Sequence, residues 1–322
     1  MSTATSKKKV LVTDSLFIFQ EHIDQLEAAN FTVERLDKPA ASEEELIEAV
    51  KGKHGYILGG IEHVTDKVIA AADCLEALVF TGTDWLHFVP GHAEATRKGI
   101  ALSNCPGANA SAVAEFTLAL MLSMKRNLFE LGRTGGKSFQ TCHSLLAPRV
   151  GIIGLGTIGA TVARMLKGIG VADVSYYSKQ RKPNIEKEIG IKYMELNDLL
   201  KHCDVVSLHA SKAAGAGYIG GKELAQLPDG ALIIDTSFHG AIDCDALFAE
   251  LSRKRLRAAA DHLPREDFKS LPLEVFYYSN SSTAYNTSDA NQKASDIATS
   301  SMINLLSGKA DRHVVNGLKE RI

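Results

Sequence analysis

The chain has 322 residues, 45% of them hydrophobic and 23% charged, with a formal net charge of −2. That length predicts two domains. The balanced charge leaves no electrostatic footprint for nucleic acid or a membrane surface, and no stretch reaches the roughly 20 apolar residues of a membrane span. Five cysteines, Cys74, Cys105, Cys142, Cys203 and Cys244, are scattered without a CxxC pair or a zinc spacing, which predicts reduced thiols and a cytoplasmic setting. Lys7-Lys8-Lys9 precedes an apolar stretch, but Asp14 interrupts it and no small-residue cleavage site follows. It reads as the start of a first strand, not as a signal peptide.

In chain order, Lys9–Asp14 (KVLVTD) is a β-rich run followed by a helical pattern. Thr32–Leu36, the helical Ser42–Val50, Tyr56–Gly60, Leu75–Gly82 and Ile100–Ser103 continue the alternation. Strands alternating with helices predict a parallel sheet with crossover helices. A turn cluster, Asn104-Cys105-Pro106-Gly107, closes this first unit. Ser111–Met124 is apolar over most of its surface, which predicts a buried interdomain helix, and the polar Lys125–Pro148 reads as a connecting arm. The alternation resumes at Arg149 with strands at Val174–Tyr177, Val205–Leu208, Ala231–Asp235, Leu256–Ala260 and Val275–Tyr278, and an amphipathic helix over Asn291–Ser307.

The motif with most chemistry is at Arg149–Leu166. The β-branched run Val150–Ile153 meets Gly154-Leu155-Gly156-Thr157-Ile158-Gly159, and an amphipathic helix follows from Ala160. Gly154 allows a tight turn, Gly156 leaves room for a pyrophosphate, and Gly159 lets helix and strand approach. The helix N-terminus then faces the phosphates with free N–H groups. The strand, turn and helix context predicts dinucleotide binding.

Four stretches, Gly99–Leu120, the glycine turn, Ile234–Leu247 and Ala284–Ala290, in this order and separation, resemble the D-isomer-specific 2-hydroxyacid dehydrogenases. The resemblance covers nearly the whole chain. It implies an α/β protein of two Rossmann-like or flavodoxin-like doubly wound parallel-sheet domains with an interdomain cleft that holds the active site. Residues 1–105 plus 291–322 would form the substrate domain and 106–290 the NAD(P)-binding Rossmann domain. It also implies a homodimer built on the interdomain helix and arm, and a small-molecule substrate.

The cofactor preference is open to reading from the residues. In an NAD-binding Rossmann unit an acidic residue ends the second strand and takes the ribose hydroxyls. Here that strand is Val174–Tyr177, and Ser178, Lys179, Arg181 and Lys182 follow it. No carboxylate would repel a 2′-phosphate there, and three cations could pair with one. The segment YYSKQRKP resembles its counterpart in NADP-using glyoxylate and hydroxypyruvate reductases. NADP(H) is therefore favoured over NAD(H), with a solvated basic loop as the alternative. By position, His209 and Ala210 would line the adenine or ribose side. Thr236, Ser237 and Phe238 would lie beneath the nicotinamide, where Ser282 would also approach, and Asp261 would face its amide.

The catalytic positions break the family pattern. The family uses an arginine to clamp the substrate carboxylate, a histidine to carry the proton and a glutamate to tune that histidine. In N-T-A-R-G-G-x-x-D the arginine position is Phe238, and in T-P-H-x-A-Y-N-T the histidine position is Ser282. Glu266 is retained. Phenylalanine makes no bidentate clamp, and a serine without a base is a poor proton donor. Simple 2-oxo acids are thereby disfavoured. His239, His262 and Tyr285 are replacement proton donors, His239 first because histidine titrates in the useful range, though each could instead make a structural hydrogen bond. Gly60, Ile61, Gly82 and Thr83 follow first-domain strands, where the resemblance implies backbone contacts to substrate; Trp85 caps that pocket or packs in the core.

The expected function is an NAD(P)H-dependent oxidoreductase with a non-standard active site, acting on a carbonyl, imine or related substrate. The alternatives are a lyase or epimerase that keeps its nicotinamide bound, and a catalytically silent nucleotide sensor or scaffold.

Overall fold

The computed structural model describes residues 7–13, 18–38, 40–136, 141–211, 214–280 and 283–318. Asp14 and Ser282 lie outside these residues. The chain divides into two compact units, Met1–Asn109 with Thr287–Ile322, and Ala110–Asn286.

The first unit is a sheet of five parallel strands: β1 (Lys9–Thr13), β2 (Thr32–Leu36), β3 (Gly55–Leu58), β4 (Ala77–Phe80) and β5 (Ala101–Asn104), in the order β2-β1-β3-β4-β5. Residues of β1, β3 and β4 are buried on both faces, as helices covering both sides of a parallel sheet require. The first covering helices follow their sequence signals. Ser42 caps Glu43–Ala49 in a capping box, its hydroxyl accepting from Glu45 N while the Glu45 carboxylate accepts from Ser42 N at 2.9 Å.

The helix Ser288–Leu306 returns to this unit. Thr287 caps it, accepting from Ala290 N at 3.2 Å. Its Ala294, Ala298, Met302 and Leu306 pack against Val10, Val12, Ile57, Ala77 and Val79. Gly55 is glycine because a Cβ there would run into the Met302 sulfur.

The second unit is a sheet of seven parallel strands: β6 (Val150–Ile153), β7 (Val174–Tyr177), β8 (Lys192–Tyr193), β9 (Val205–Leu208), β10 (Leu232–Asp235), β11 (Arg257–Ala260) and β12 (Phe276–Tyr278). Their order is β12-β11-β10-β9-β6-β7-β8. The chain runs outward from β6 through β7 to β8, then resumes on the other flank of β6 at β9. This reversal puts a topological switch point beside β6. All strand C-termini lie along one edge, and Val150, Val205, Leu232 and Arg257 stand level at the opposite edge.

The apolar helix Ala110–Lys125 belongs to this unit. Its Ala114, Leu120, Met121 and Met124 join the core with Val150, Ile152, Ala163 and Leu166. Two details differ from the sequence expectation. The polar segment after Lys125 holds a helix, Leu128–Thr134, anchored where the Phe129 ring stacks on Tyr277 with centroids 3.6 Å apart. Tertiary packing makes this helix, and no periodicity announces it. The edge strand β8 has two residues, too few for a pattern. Among the described residues no helix is long and apolar enough to cross a membrane.

Candidate active site

The glycine turn leaves β6 at Ile153. Gly154 has φ +98°, and a Cβ there would meet the His209 carbonyl oxygen at 2.5 Å. A Cβ on Gly159 would strike the Gly154 carbonyl, so that glycine sets how closely the Thr157–Gly168 helix approaches the strand. The space over Gly156 is open, with no atom within 4 Å of a Cβ position. That helix begins at Thr157, three residues earlier than its apolar pattern suggests, and Gly156 brings no side chain to cap it. Gly156 and Thr157 are exposed and Ile158 is half-buried. The first-turn amides thus remain available to an anion, and the cradle fits a dinucleotide pyrophosphate.

At the end of β7, the Ser178 hydroxyl donates to the Gln180 carbonyl at 2.6 Å. Arg181 is held by Glu186 through two bonds, Nε to Oε1 at 2.9 Å and Nη2 to Oε2 at 2.8 Å. Tyr176 donates to the same carboxylate at 2.6 Å. Arg181, with help from Tyr176, holds the Glu186 carboxyl down at about 2. Of the three cations read from the sequence, Arg181 therefore carries its own counter-ion. The exposed Lys179 and half-buried Lys182 have no carboxylate partner among the described residues. Glu186 went unnoticed in the sequence because it lies five residues on, in the next helix.

Beyond β9, the His209 Nε2 and Ser207 hydroxyl are 2.8 Å apart. Desolvation pushes the His209 imidazole down to about 4, so it is neutral near pH 7 and serves as packing and hydrogen-bonding surface. Ala210 is half-buried beside it.

The ends of β10 and β11 carry the densest polar array. The buried Asp235 accepts from Ser237 N at 2.9 Å and from its hydroxyl at 2.5 Å. Thr236 Oγ1 lies 2.9 Å from Thr117 Oγ1, tying the end of β10 to the Ala110–Lys125 helix. Phe238 is half-buried against the core. His262 brings Nε2 to 4.0 Å from Asp235 Oδ2, and the His239 and His262 rings lie 5.0 Å apart between centroids. His239 is exposed, His262 mostly buried and Asp235 buried, so the three lead from solvent inward. Burial raises the Asp235 carboxyl and lowers the His262 imidazole, an effect that the Asp235 charge partly opposes. A cavity of about 10 Å³, lined in part by Asp235, His262, Cys244, Pro264 and Phe276, adjoins the pair.

Asp261 Oδ2 accepts from Ala284 N at 3.0 Å, while its Oδ1 is a buried acceptor without a partner among the described residues. Burial, with Asp235 adding to it, raises this carboxyl too. An acceptor left over at this position suits an amide N–H of the kind nicotinamide carries. Glu266 begins the 3-10 turn Glu266–Ser270, is exposed, and pairs with Lys269 at 2.8 Å. The structure does not bring it to either histidine. Tyr285 is 40% exposed.

In the first unit, Gly60 is buried and Ile61 exposed just after β3, while Gly82 is half-buried and Thr83 exposed after β4. Trp85 packs against the core of that unit, its ring edge-on to His92. Sequence reasoning missed Asp235, whose signal was a lone carboxylate ending a strand beside three polar residues. No cluster of three or more metal-ligating side chains occurs among the described residues.

The chain is similar to a large set of known proteins. Residues 118–289 match the family described as D-isomer specific 2-hydroxyacid dehydrogenase, NAD binding domain. A glyoxylate reductase of Thermococcus litoralis is 31% identical over 241 residues, 69% of this chain and 72% of its own length. The D-3-phosphoglycerate dehydrogenase of Methanocaldococcus jannaschii is 29% identical over 323 residues, 96% of this chain but only 59% of its own length. This chain thus spans about three-fifths of that relative. The TT0316 protein of Thermus thermophilus has the same fold, with a TM-score of 0.83 at 24% identity, covering 95% of this chain and 99% of that one. The chain belongs to the D-isomer specific 2-hydroxyacid dehydrogenase family, a family of oxidoreductases that use a nicotinamide cofactor.

Proposed function

We propose that this chain is an NADPH-dependent reductase whose substrate is a carbonyl, an imine or a related group rather than a simple 2-oxo acid. The observation that carries the reading is the Asp235, His262 and His239 array beside Phe238, on the same sheet edge as the glycine turn. Phe238 offers an aromatic face where the family pattern has a guanidinium, which disfavours a carboxylate anchor and favours an apolar substituent.

Gly154, Gly156, Thr157, Ile158 and Gly159 would hold the pyrophosphate. His209 and Ala210 would flank the adenosine, and Lys179 and Lys182 would meet a 2′-phosphate with Ser178 beside them. Thr236, Ser237 and Asp261 would set the nicotinamide. Bound NADPH supplies the hydride. His239 would then deliver a proton to the oxygen or nitrogen that gains charge and, being exposed, would take its replacement from solvent, with His262 and Asp235 set behind it. Glu266, Ser282 and Tyr285 remain candidate contributors, and Gly60, Ile61, Gly82 and Thr83 candidate substrate contacts. Leu122, Leu128 and Leu146, exposed on and after the Ala110–Lys125 helix, support a homodimer through this part of the chain. Five free thiols suit a reducing, cytoplasmic setting.

The test is loss of nicotinamide absorbance with NADPH against panels of ketones, aldehydes, imines and 2-oxo acids. Turnover on a carbonyl or imine lacking a 2-carboxylate, lost in His239→Ala, is the expected result. Turnover confined to 2-oxo acids overturns the substrate reading. Substrate conversion without net cofactor oxidation selects a lyase or epimerase, and tight cofactor binding without turnover selects a sensor.

A further inference from the structure

The second unit has another charged cavity, on the sheet edge away from the glycine turn. Its volume is about 290 Å³, and its walls include Lys125, Asn127, His143, Lys254, Arg257 and Glu274. Lys125 ends the apolar helix, and Arg257 opens β11. Arg257 stands level with Val150 across the sheet, whereas Gly154 follows the far end of β6. Four residues of strand separate the two edges, roughly 13 Å, and three strand spacings of about 4.8 Å separate β6 from β11.

Arg257 is rigidly placed by neutral acceptors. Nε donates to the Glu274 carbonyl at 2.7 Å, and Nη2 to the Met124 carbonyl at 2.5 Å and to Asn127 Oδ1 at 2.9 Å. Among the described residues no carboxylate binds it, and its Nη1 hydrogens are unspent. The Lys125 ammonium likewise has no hydrogen-bond or ion-pair partner among them and is half-buried. The carboxylate that acts on it, Asp204, is already taken by Arg149 at 2.8 Å. Lys254 reaches Glu274 only at 3.9 Å. Three cations thus face one carboxylate. Desolvation lowers both Lys125 and Arg257, and Arg257 adds to the effect on Lys125. Lys125 and Arg257, partly buried and without a carboxylate bonded to either among the described residues, raise the free energy of the fold unless an anion joins them.

We propose that this cavity is a binding site for a phosphoryl dianion, with Lys125 and Arg257 as its two principal donors. A fixed guanidinium beside an ammonium suits a tetrahedral oxyanion, one as a directed donor and the other as a point charge. The cavity is larger than one phosphate needs, so the ligand is either inorganic phosphate or a small phosphate monoester. The site is separate from the nucleotide cradle, and its occupancy does not depend on which substrate the reductase takes.

Calorimetry of the full-length chain tests this in chloride buffer at fixed ionic strength. Inorganic phosphate and glycerol 2-phosphate are titrated in turn, each with and without saturating NADP⁺. One phosphate per chain is expected, kept in the presence of NADP⁺. Lys125→Met should weaken it at least tenfold, and Lys125→Arg should restore most of it. Tighter binding of the monoester assigns a phosphorylated metabolite, and equal or weaker binding assigns free phosphate. Absence of heat, loss of binding with NADP⁺, or unchanged affinity in Lys125→Met overturns the proposal. So does light scattering in which Lys125→Met dissociates a dimer that binds no phosphate, since a partner's side chain would then be the occupant. A failed activity screen alongside intact phosphate binding would overturn the reductase reading alone.

Discussion

Asp235 and His262 face each other from the ends of two adjacent strands, carboxylate oxygen to imidazole nitrogen at 4.0 Å. Burial works against both charges, and each charge favours the other. Replacing Asp235 by Asn removes the anion that helps His262 keep its proton. The His262 imidazole in Asp235→Asn should therefore titrate lower than in the parent. Side-chain nitrogen NMR reads this directly. An unchanged or higher value would mean that the two groups do not interact.

Two glycines of one motif should fail differently. Gly154→Ala forces a left-handed backbone onto a side chain and drives its Cβ towards the His209 carbonyl. It should cost at least about 1–3 kcal/mol of stability in chemical denaturation. Gly156→Ala meets no atom, so stability should stay within about 0.5 kcal/mol. Its methyl group would nonetheless occupy the space meant for pyrophosphate. Cofactor affinity should fall on the order of tenfold, or about 1.4 kcal/mol.

His209 should leave a mark on the pH dependence of stability. Its folded value is about 4, against about 6.5 for a free imidazole. The unfolded chain binds the extra proton, so stability rises with pH across this interval. The contribution is complete above about pH 6.5 and is lost progressively as pH falls towards about 4. Thermal melts of His209→Asn should show a shallower decline than the parent across that window.

Lys179 is exposed and has no carboxylate partner among the described residues, whereas Arg181 is neutralised by Glu186. Lys179→Ala should weaken NADPH by about three- to tenfold and leave NADH unchanged, as expected for an exposed charge-assisted contact of about 1 kcal/mol. Arg181→Ala should shift that preference less. Equal effects of Lys179→Ala on the two nucleotides would remove the basis for an NADP preference. Fluorescence titration of both cofactors makes the comparison.

Much of this was legible in the residues themselves. Val150–Ile153 followed by three spaced glycines fixes a strand, a turn and a helix by steric need, and the structure has them in place. The first unit's strands were readable because apolar β-branched runs alternate with helical periods. Other features arise only in three dimensions. The Leu128–Thr134 helix exists because Phe129 finds Tyr277, far along the chain. The pairing of Arg181 with Glu186 changes which cations are free, and the order of charges along the chain does not reveal it. Asp235 resembles any strand-ending carboxylate until His262, from the neighbouring strand, is placed beside it.

The helix Ser288–Leu306 completes a core whose other members lie no further along the chain than Ala108. During synthesis the ribosome releases those early strands long before their covering helix exists. The Ala110–Asn286 unit can close on its own residues first, reversing the usual N-to-C order of maturation. Nascent molecules therefore carry a partly uncovered apolar sheet face, shielded only by the Gln20–Ala28 helix, until the Ser288–Leu306 helix emerges, a period in which chaperone occupancy should peak. Truncation before Ser288 should leave permanently exposed the part of that face which Ala294, Ala298, Met302 and Leu306 cover.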